Sequence, residues 1–553
     1  MILLTSYINK HSNKILILLF SVFFLVGILS FKDYGISIDE EFQRFSGFYW
    51  LNYVVQFMPF ENLKEIVSNK FDDINGFTLP NPKNYPAYGV IFDLPAAYLE
   101  VIFNLQKTEN IFYLRHFLNF LIFYISSIFF YKLLIVRFSN FNVSILGTLL
   151  YILSPRIYGN SFYNNKDLIF LSLTTIAIYF CFKSLKNLTF KNLIFFSFFS
   201  ALATSLRILG IFLPVSFSLI YIFYILDGKI NLNIFYKIIF YLFLYSIFLL
   251  ILWPYLWALP FDNFINALTL FAKYSTEMKM LFMGNYINST LLPVSYLPIW
   301  ISSTTPALYL IFFFLGFVYM SKRLFLRFLN IQNISVRSEL WRSNNEKLDL
   351  FIFFNFTIIF LYLLFSDINL YTGWRQVYFI NIFLIYISTY FIYIYLLYLK
   401  KSTFKFYFNS FTILYICCLI IKLIIYHPYQ SFYFNSFVSN KYKNNIEIDY
   451  WGISGVKFLD NILKTDKAQI INIGVASFLP LERSLVLLND KQKKRLKLVG
   501  QNYQMADYIF NTNISEVDKN INTKYNIPKN FIKISEFKIE NSLIYEVYKK
   551  NTK

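Results

Sequence analysis

Histidine, cysteine and acidic side chains are scarce in this chain. Its three histidines, His11, His116 and His427, lie far apart in sequence. That spacing argues against a histidine-rich zinc site and leaves any divalent cation to carboxylates. Cys181, Cys417 and Cys418 all fall inside apolar runs, so neither a disulfide framework nor a thiolate metal site is read from them. Charged residues make up only 15% of the 553 residues and hydrophobic ones 57%, whereas soluble domains carry roughly 25% charge. These shortages exclude an ordinary soluble globular protein. Acids are the scarcer charge, 31 Asp+Glu against 51 Lys+Arg, for a formal net charge of +20. The excess sits mainly in short loops between apolar runs, the pattern of membrane topology, so no nucleic-acid partner is expected.

What the chain has in abundance is apolar runs of spanning length. They cover 15–31, 112–136, 141–157, 168–183, 191–207, 209–226, 233–256, 297–320, 349–366, 376–399 and 408–426. No small-x-small cleavage site follows the first run, so it reads as a retained span and not as a signal peptide. With the N-terminus inside, Lys132 and Arg137, then Lys183, Lys186 and Lys191, then Lys229, then Lys322, Arg323, Arg327, Arg337 and Arg342, then Lys400, Lys401 and Lys405 all fall on inner connections, as the positive-inside rule requires. The expected fold is an α-helical polytopic membrane protein of about 11 transmembrane helices. Its domains are 1–426, with a long outer loop at 32–111, and a C-terminal extracytoplasmic α/β domain at 427–553. In that tail "AQIINIGVASF" reads as a strand, "ISGVKFLDNILK" as a helix by its i, i+3, i+4, i+7 spacing, and "FIKISEF" with "SLIYEVYKK" as a terminal hairpin.

The informative charges are those on the outer ends, where basic residues run against the topological bias. They are Arg115 and His116, Arg156, Lys166 and Asp167, Arg207, Asp367 and Arg375, together with Asp39, Glu40 and Glu41 just after the first span. One such arginine is usually an anchor with its head in water. A set of them opposite a carboxylate cluster suits an anionic substrate at the outer surface. Cleavage of a sugar–phosphate bond in a polyprenyl-phosphate-linked sugar places charge on the leaving phosphate. Arg156, Lys166, Arg207 and Arg375 are the donor phosphate-binding candidates. The acceptor hydroxyl needs a base, the role open to Asp39 or Glu40. Arg115, His116, Asp167, Trp374 and His427 are candidates for the substrate cavity.

The segments "GISIDEEFQRFSG", "LRHFLNF", "SPRIYGNSFYNNKD", "WPYLWALP", "YTGWRQVYF", "HPYQSFYFN" and "IDYWGISG" resemble, in that order, a bacterial branch of the GT-C glycosyltransferases described as family 39-like. Relatives there are the protein O-mannosyltransferases and the aminoarabinose transferases of lipid A. The resemblance runs from about residue 35 to 455. It implies a GT-C fold, a lipid-phosphate sugar donor, inversion at the anomeric carbon, and Asp39 and Glu40 as the catalytic loop acids, with the first of the pair at the acceptor. Lys166 and Asp167 match the second outer loop. Thr372 stands where this branch has an acid. No cofactor is certain: some relatives use a divalent cation and others do not, so a metal stays open. The expected setting is the bacterial inner membrane, with a lipid, glycan or protein as acceptor. A transporter or flippase would instead place ionisable groups near the midplane and show related halves. A glycan polymerase or ligase would use diphosphate-linked oligosaccharides.

Overall fold

The computed structural model describes residues 11–75, 79–85, 89–226, 232–272, 277–329, 341, 343–366, 368–399 and 401–551. Lys229, Arg337, Arg342, Asp367 and Lys400 lie outside the described residues. Among the described residues eight helices are long and apolar enough to cross a membrane. They are Ser12–Ser30, Thr108–Phe138, Asp167–Lys186, Leu232–Leu252, Ala307–Arg327, Asn344–Phe365, Ile380–Tyr398 and Ser402–Tyr426. Three shorter apolar helices, Phe141–Ile152, Phe190–Leu206 and Ile208–Ile222, coincide with the other three expected spans.

Burial ranks these helices. In Asp167–Lys186 and Ile380–Tyr398, 83% and 72% of the apolar window is buried inside the protein, against 17% in Ser12–Ser30 and Leu232–Leu252. The first two form the centre of the bundle and the others its rim. Small residues let the helices approach: a Cβ on Gly316 would stand 2.3 Å from the carbonyl oxygen of Ile387 on the facing helix.

Two expected elements are corrected. The run 141–157 ends as the helix Phe141–Ile152, and Pro155 opens a separate helix, Pro155–Tyr163. The run 297–320 is not one span but two helices, Tyr296–Thr304 and Ala307–Leu329. Pro306 has no N–H to continue the ladder and forces the preceding residue out of the helical region. Thr305 is accordingly extended, with φ −90° and ψ 139°.

Toward the expected inner side, Asp349 gathers two arginines and a tyrosine hydroxyl from three helices. Arg137 makes two bonds to it, Nε to Oδ1 and Nη2 to Oδ2, both 2.7 Å. Arg323 Nη1 donates to Oδ2 at 3.0 Å, and the Tyr386 hydroxyl donates to Oδ1 at 2.8 Å. The two arginines that sequence places among inner-loop charges therefore share a fully buried carboxylate.

The long first loop forms the helices Glu40–Val55, Glu61–Asn75 and Asp93–Ile102. A two-stranded antiparallel ribbon, β1 (Lys279–Phe282) and β2 (Asn285–Asn288), stands in the later loop. After the last span come the helix Gly455–Thr465 and strands β3 (Ile471–Ala476), β4 (Leu496–Gly500), β5 (Tyr508–Asn511), β6 (Phe531–Ile539) and β7 (Ser542–Lys550). They form one sheet in the order β4-β3-β5-β7-β6. β3 is parallel to β4 and β5, and β7 is antiparallel to β5 and β6. The expected strand, helix and hairpin are all present. The hairpin turns on Glu540 and Asn541, both at positive φ (44° and 67°), the backbone a tight two-residue hairpin turn demands. Glu540 also anchors the sheet to the bundle, accepting from Lys422 Nζ (2.9 Å) and the Tyr426 hydroxyl (2.9 Å) on the last span.

Candidate active site

The stretch that holds three acids in a row packs against the chain far downstream. The Ile38 N–H donates to the Trp451 carbonyl oxygen at 3.0 Å. Gly35 lies so close to Ile453 that a Cβ would stand 2.7 Å from its carbonyl oxygen. On the downstream side Asp449 closes the turn, accepting from the N–H groups of Ile453 (3.2 Å) and Ser454 (3.0 Å). Gly452 supplies the left-handed conformation there, at φ +73°. "GISIDEE" and "IDYWGISG" are thus one packed unit.

That unit aims the three acids in three directions. Asp39 immediately precedes the Glu40–Val55 helix and faces a cavity of about 210 Å³. Glu40 turns inward. Its carboxylate accepts the Ser37 N–H at 2.6 Å and lies 3.0 Å from His116 Nε2. Glu41 pairs with Arg483 of the C-terminal sheet domain at 2.9 Å. Successive helical positions differ by about 100°, so three neighbours cannot share one partner.

The cavity collects Asp39, Lys166, Arg207 and Arg375 with Phe42, Gln43, Tyr85, Asn164 and Tyr371. Arg375 Nη1 donates to Asp39 Oδ2 at 3.2 Å and stands 3.6 Å from Asp167 Oδ2. Arg207 also donates to Asp167. Asp167 opens its helix, and Asn164 holds it from both sides: the Asp167 N–H donates to Asn164 Oδ1 (3.0 Å), and Asn164 Nδ2 donates to Asp167 Oδ2 (3.1 Å). Arg375 lies within an aromatic cage, 4.5 Å from the Trp451 ring, 4.8 Å from Tyr371 and 5.0 Å from Tyr450. Burial works against the Arg375 charge, but Asp39 and the tyrosines more than offset it and hold its pKa well above the usual arginine value. Burial pushes Lys166 below the usual lysine value, with Asp93 opposing. Arg375 is only 5% exposed while Asp39 is 33% exposed, so the carboxylate is the reachable member of the pair.

The remaining sequence candidates lie elsewhere. Arg115 pairs with the buried Asp93 at 3.2 Å, and Asn165 Nδ2 donates to the same oxygen at 2.9 Å. His116 backs Glu40. Trp374 is buried with Nε1 donating to Thr304 Oγ1 at 2.9 Å. His427 Nε2 sits 2.8 Å from Asp33 Oδ2 at the end of the last span. Arg156 leaves the other cations and stacks between Trp300 and Phe434, 5.1 and 5.0 Å away. Among the described residues no group of three His, Cys, Asp or Glu converges as a cation site. Both carboxylates nearest the cavity, Asp39 and Asp167, already face guanidinium groups.

Sequence reasoning missed Asp93, Gln43 and the ring cage. Gln43 had a signal: it lies four residues after Asp39, on the same helical face. Asp93 sits in "IFDLPAA" with nothing local to mark its burial.

A second carboxyl lies just behind the cage. Glu447 is buried beside Tyr371, Thr372 and Tyr450. Burial pushes its pKa up to about 8, with Arg375 opposing. Between the ordinary glutamate range and about pH 8 the folded protein holds a proton that the unfolded chain has released, so this group makes stability fall as pH rises through that window. Glu447→Gln should therefore gain in melting temperature over the parent as pH is raised from about 5 to 8.5. A constant difference across that range would show that Glu447 stays ionised.

No family model matches the sequence, and no curated protein matches it. Among solved structures the chain is similar to the crystal structure of ArnT from Cupriavidus metallidurans bound to undecaprenyl phosphate. The identity is 10% and the TM-score 0.47, over 96% of this chain and 97% of that one. It is also similar to the apo crystal structure of the same protein, at 11% identity and TM-score 0.48, over 97% of this chain and 98% of that one. A likeness of that degree carries no functional argument, and the reading that follows stands on the cavity itself.

Proposed function

We propose that this chain is a membrane glycosyltransferase of the GT-C type that moves a sugar from a polyprenyl-phosphate donor to a lipid, glycan or protein acceptor. The observation that supports it most is a single cavity in which the partly exposed carboxylate of Asp39 faces Lys166, Arg207 and Arg375. Its volume is below the roughly 300–1,000 Å³ of drug-sized pockets, a scale suited to a polar head whose apolar tail stays in the membrane. The motif resemblance points the same way.

In this reading Arg375, Arg207 and Lys166 bind the donor phosphate and take up the charge that grows on it as the anomeric bond breaks. Arg375 contacts Asp39. A phosphate entering beside Arg375 competes for that contact and leaves Asp39 free to accept the proton of the acceptor hydroxyl. Glu40, turned into the protein, positions the loop through Ser37 and does not reach the acceptor. Inversion follows if the acceptor attacks from the Asp39 side, opposite the phosphate.

Arg375→Ala is expected to lower turnover at limiting donor by about 10- to 150-fold, the equivalent of roughly 1.5–3 kcal/mol for lost charge-assisted contacts. Equal kinetics for variant and parent would make Arg375 only an anchor. The side of the membrane is a further part of the proposal: the site and residues 427–553 lie outside the cytoplasm of a bacterial cell. A reporter active only in the cytoplasm, fused after Lys553, should be silent, and strong activity would place the site inside. The decisive experiment is mass spectrometry of envelope lipids and glycans from a strain lacking the protein. One sugar should disappear from its acceptor while its polyprenyl-monophosphate form accumulates. Accumulation of diphosphate-linked oligosaccharides would indicate a polymerase or ligase instead.

A further inference from the structure

Arg156 is the donor-phosphate candidate that the cavity does not use, and its surroundings make a second site. Its side chain is 93% buried, as the 7% exposure of the residue shows. Nε donates to the Tyr433 carbonyl oxygen at 3.1 Å, and the guanidinium lies between the Trp300 and Phe434 rings. Arg137, Arg207 and Arg375 each meet a carboxylate. Among the described residues Arg156 meets none; the polar side chain in contact with it is the Tyr378 hydroxyl. A buried cation without counter-charge is strongly disfavoured.

Three unused donors belong to residues around one small cavity. Arg156 Nη2, Asn381 Nδ2 and Thr305 Oγ1 are buried and have no hydrogen-bond partner. All three residues line a cavity of about 10 Å³ that no acidic side chain borders. That volume is on the scale of a single water-sized species. Donors without an acceptor, next to an uncompensated positive charge, favour an anion over water. The narrow space suits a monatomic anion better than a phosphate.

We propose that Arg156, Thr305 and Asn381 bind one chloride-sized anion. The ion neutralises Arg156 and ties three elements together: the turn entering the Pro155–Tyr163 helix, the break at Thr305–Pro306, and the first turn of the Ile380–Tyr398 helix. Trp374 lines the same cavity and precedes Arg375 in the chain, so the anion supports the segment that carries Arg375 without touching substrate.

The test is thermal unfolding of the full chain in detergent, in sodium chloride and in sodium gluconate at matched ionic strength. The parent should melt about 1–3 °C higher in chloride. Asn381→Asp puts a tethered carboxylate in the anion's place, and this variant should melt at the same temperature in both salts. Crystals of the parent grown in bromide should show an anomalous peak in this cavity, a result that does not depend on the variant folding. Equal melting of the parent in the two salts, chloride dependence retained in Asn381→Asp, or a water without anomalous signal at the site would each overturn the proposal.

Discussion

Asp39→Asn is expected to lower turnover by about 10²–10⁴-fold, the usual worth of a positioned general base. Asparagine keeps the size of the side chain and an oxygen for Arg375, so the loop and its contact with Trp451 stay in place and donor binding changes little. What disappears is the ability to take a proton. Glu40→Gln gives the contrasting result. It leaves the cavity lining intact but weakens the hold on the Ser37 N–H and on His116, so its loss should appear in thermal stability more than in the chemical step. Turnover measured at saturating donor separates the two. If Asp39→Asn keeps near-parent turnover while Glu40→Gln loses it, the second acid is the base. If both keep it, the acids serve structure alone.

The largest stability effect is expected at the opposite end of the bundle. Asp349→Ala removes the carboxylate shared by Arg137 and Arg323 and leaves both guanidinium groups without their partner among apolar helices. Breaking a buried ion pair from one side costs roughly 3–5 kcal/mol. Here one deletion orphans two cations and the Tyr386 hydroxyl, so the upper part of that range applies. Unfolding in detergent should show it as a lowered melting temperature. Arg323→Ala should cost less, since Arg137 keeps both of its bonds. Unchanged melting of Asp349→Ala would mean that water reaches the cluster and solvates the arginines.

The bundle was legible because hydropathy and helix length are local quantities. Every expected span has a helix at its position, and the errors, at Pro155 and Pro306, came from reading apolarity without its punctuation. The tail was legible for the same reason: alternation marks β6 and β7, and helical spacing marks Gly455–Thr465. The site was legible in part. Lys166, Arg207 and Arg375 stood out as basic residues on the wrong side of a topological rule, and they do converge beside Asp39. Arg115 and Arg156 carried the same signal and went elsewhere. Nothing local distinguishes them, because the deciding partner is Asp93 in one case and a pair of aromatic rings in the other, each supplied by a distant segment. Glu40 and Asp39 likewise differ only in which way one helical step points them.

The hydrogen bond between Ile38 and Trp451 joins the two ends of the working chain, and this has a consequence for biosynthesis. Asp39 is made before most of the membrane spans, yet the backbone that seats it and two of the three rings around Arg375, those of Tyr450 and Trp451, are produced after the last one. A chain synthesised only as far as Tyr426 therefore holds its membrane spans but not a finished cavity. The cavity is complete only once the segment around Trp451 has packed against the first loop. A chain ending after Tyr426 should insert into the membrane and remain silent.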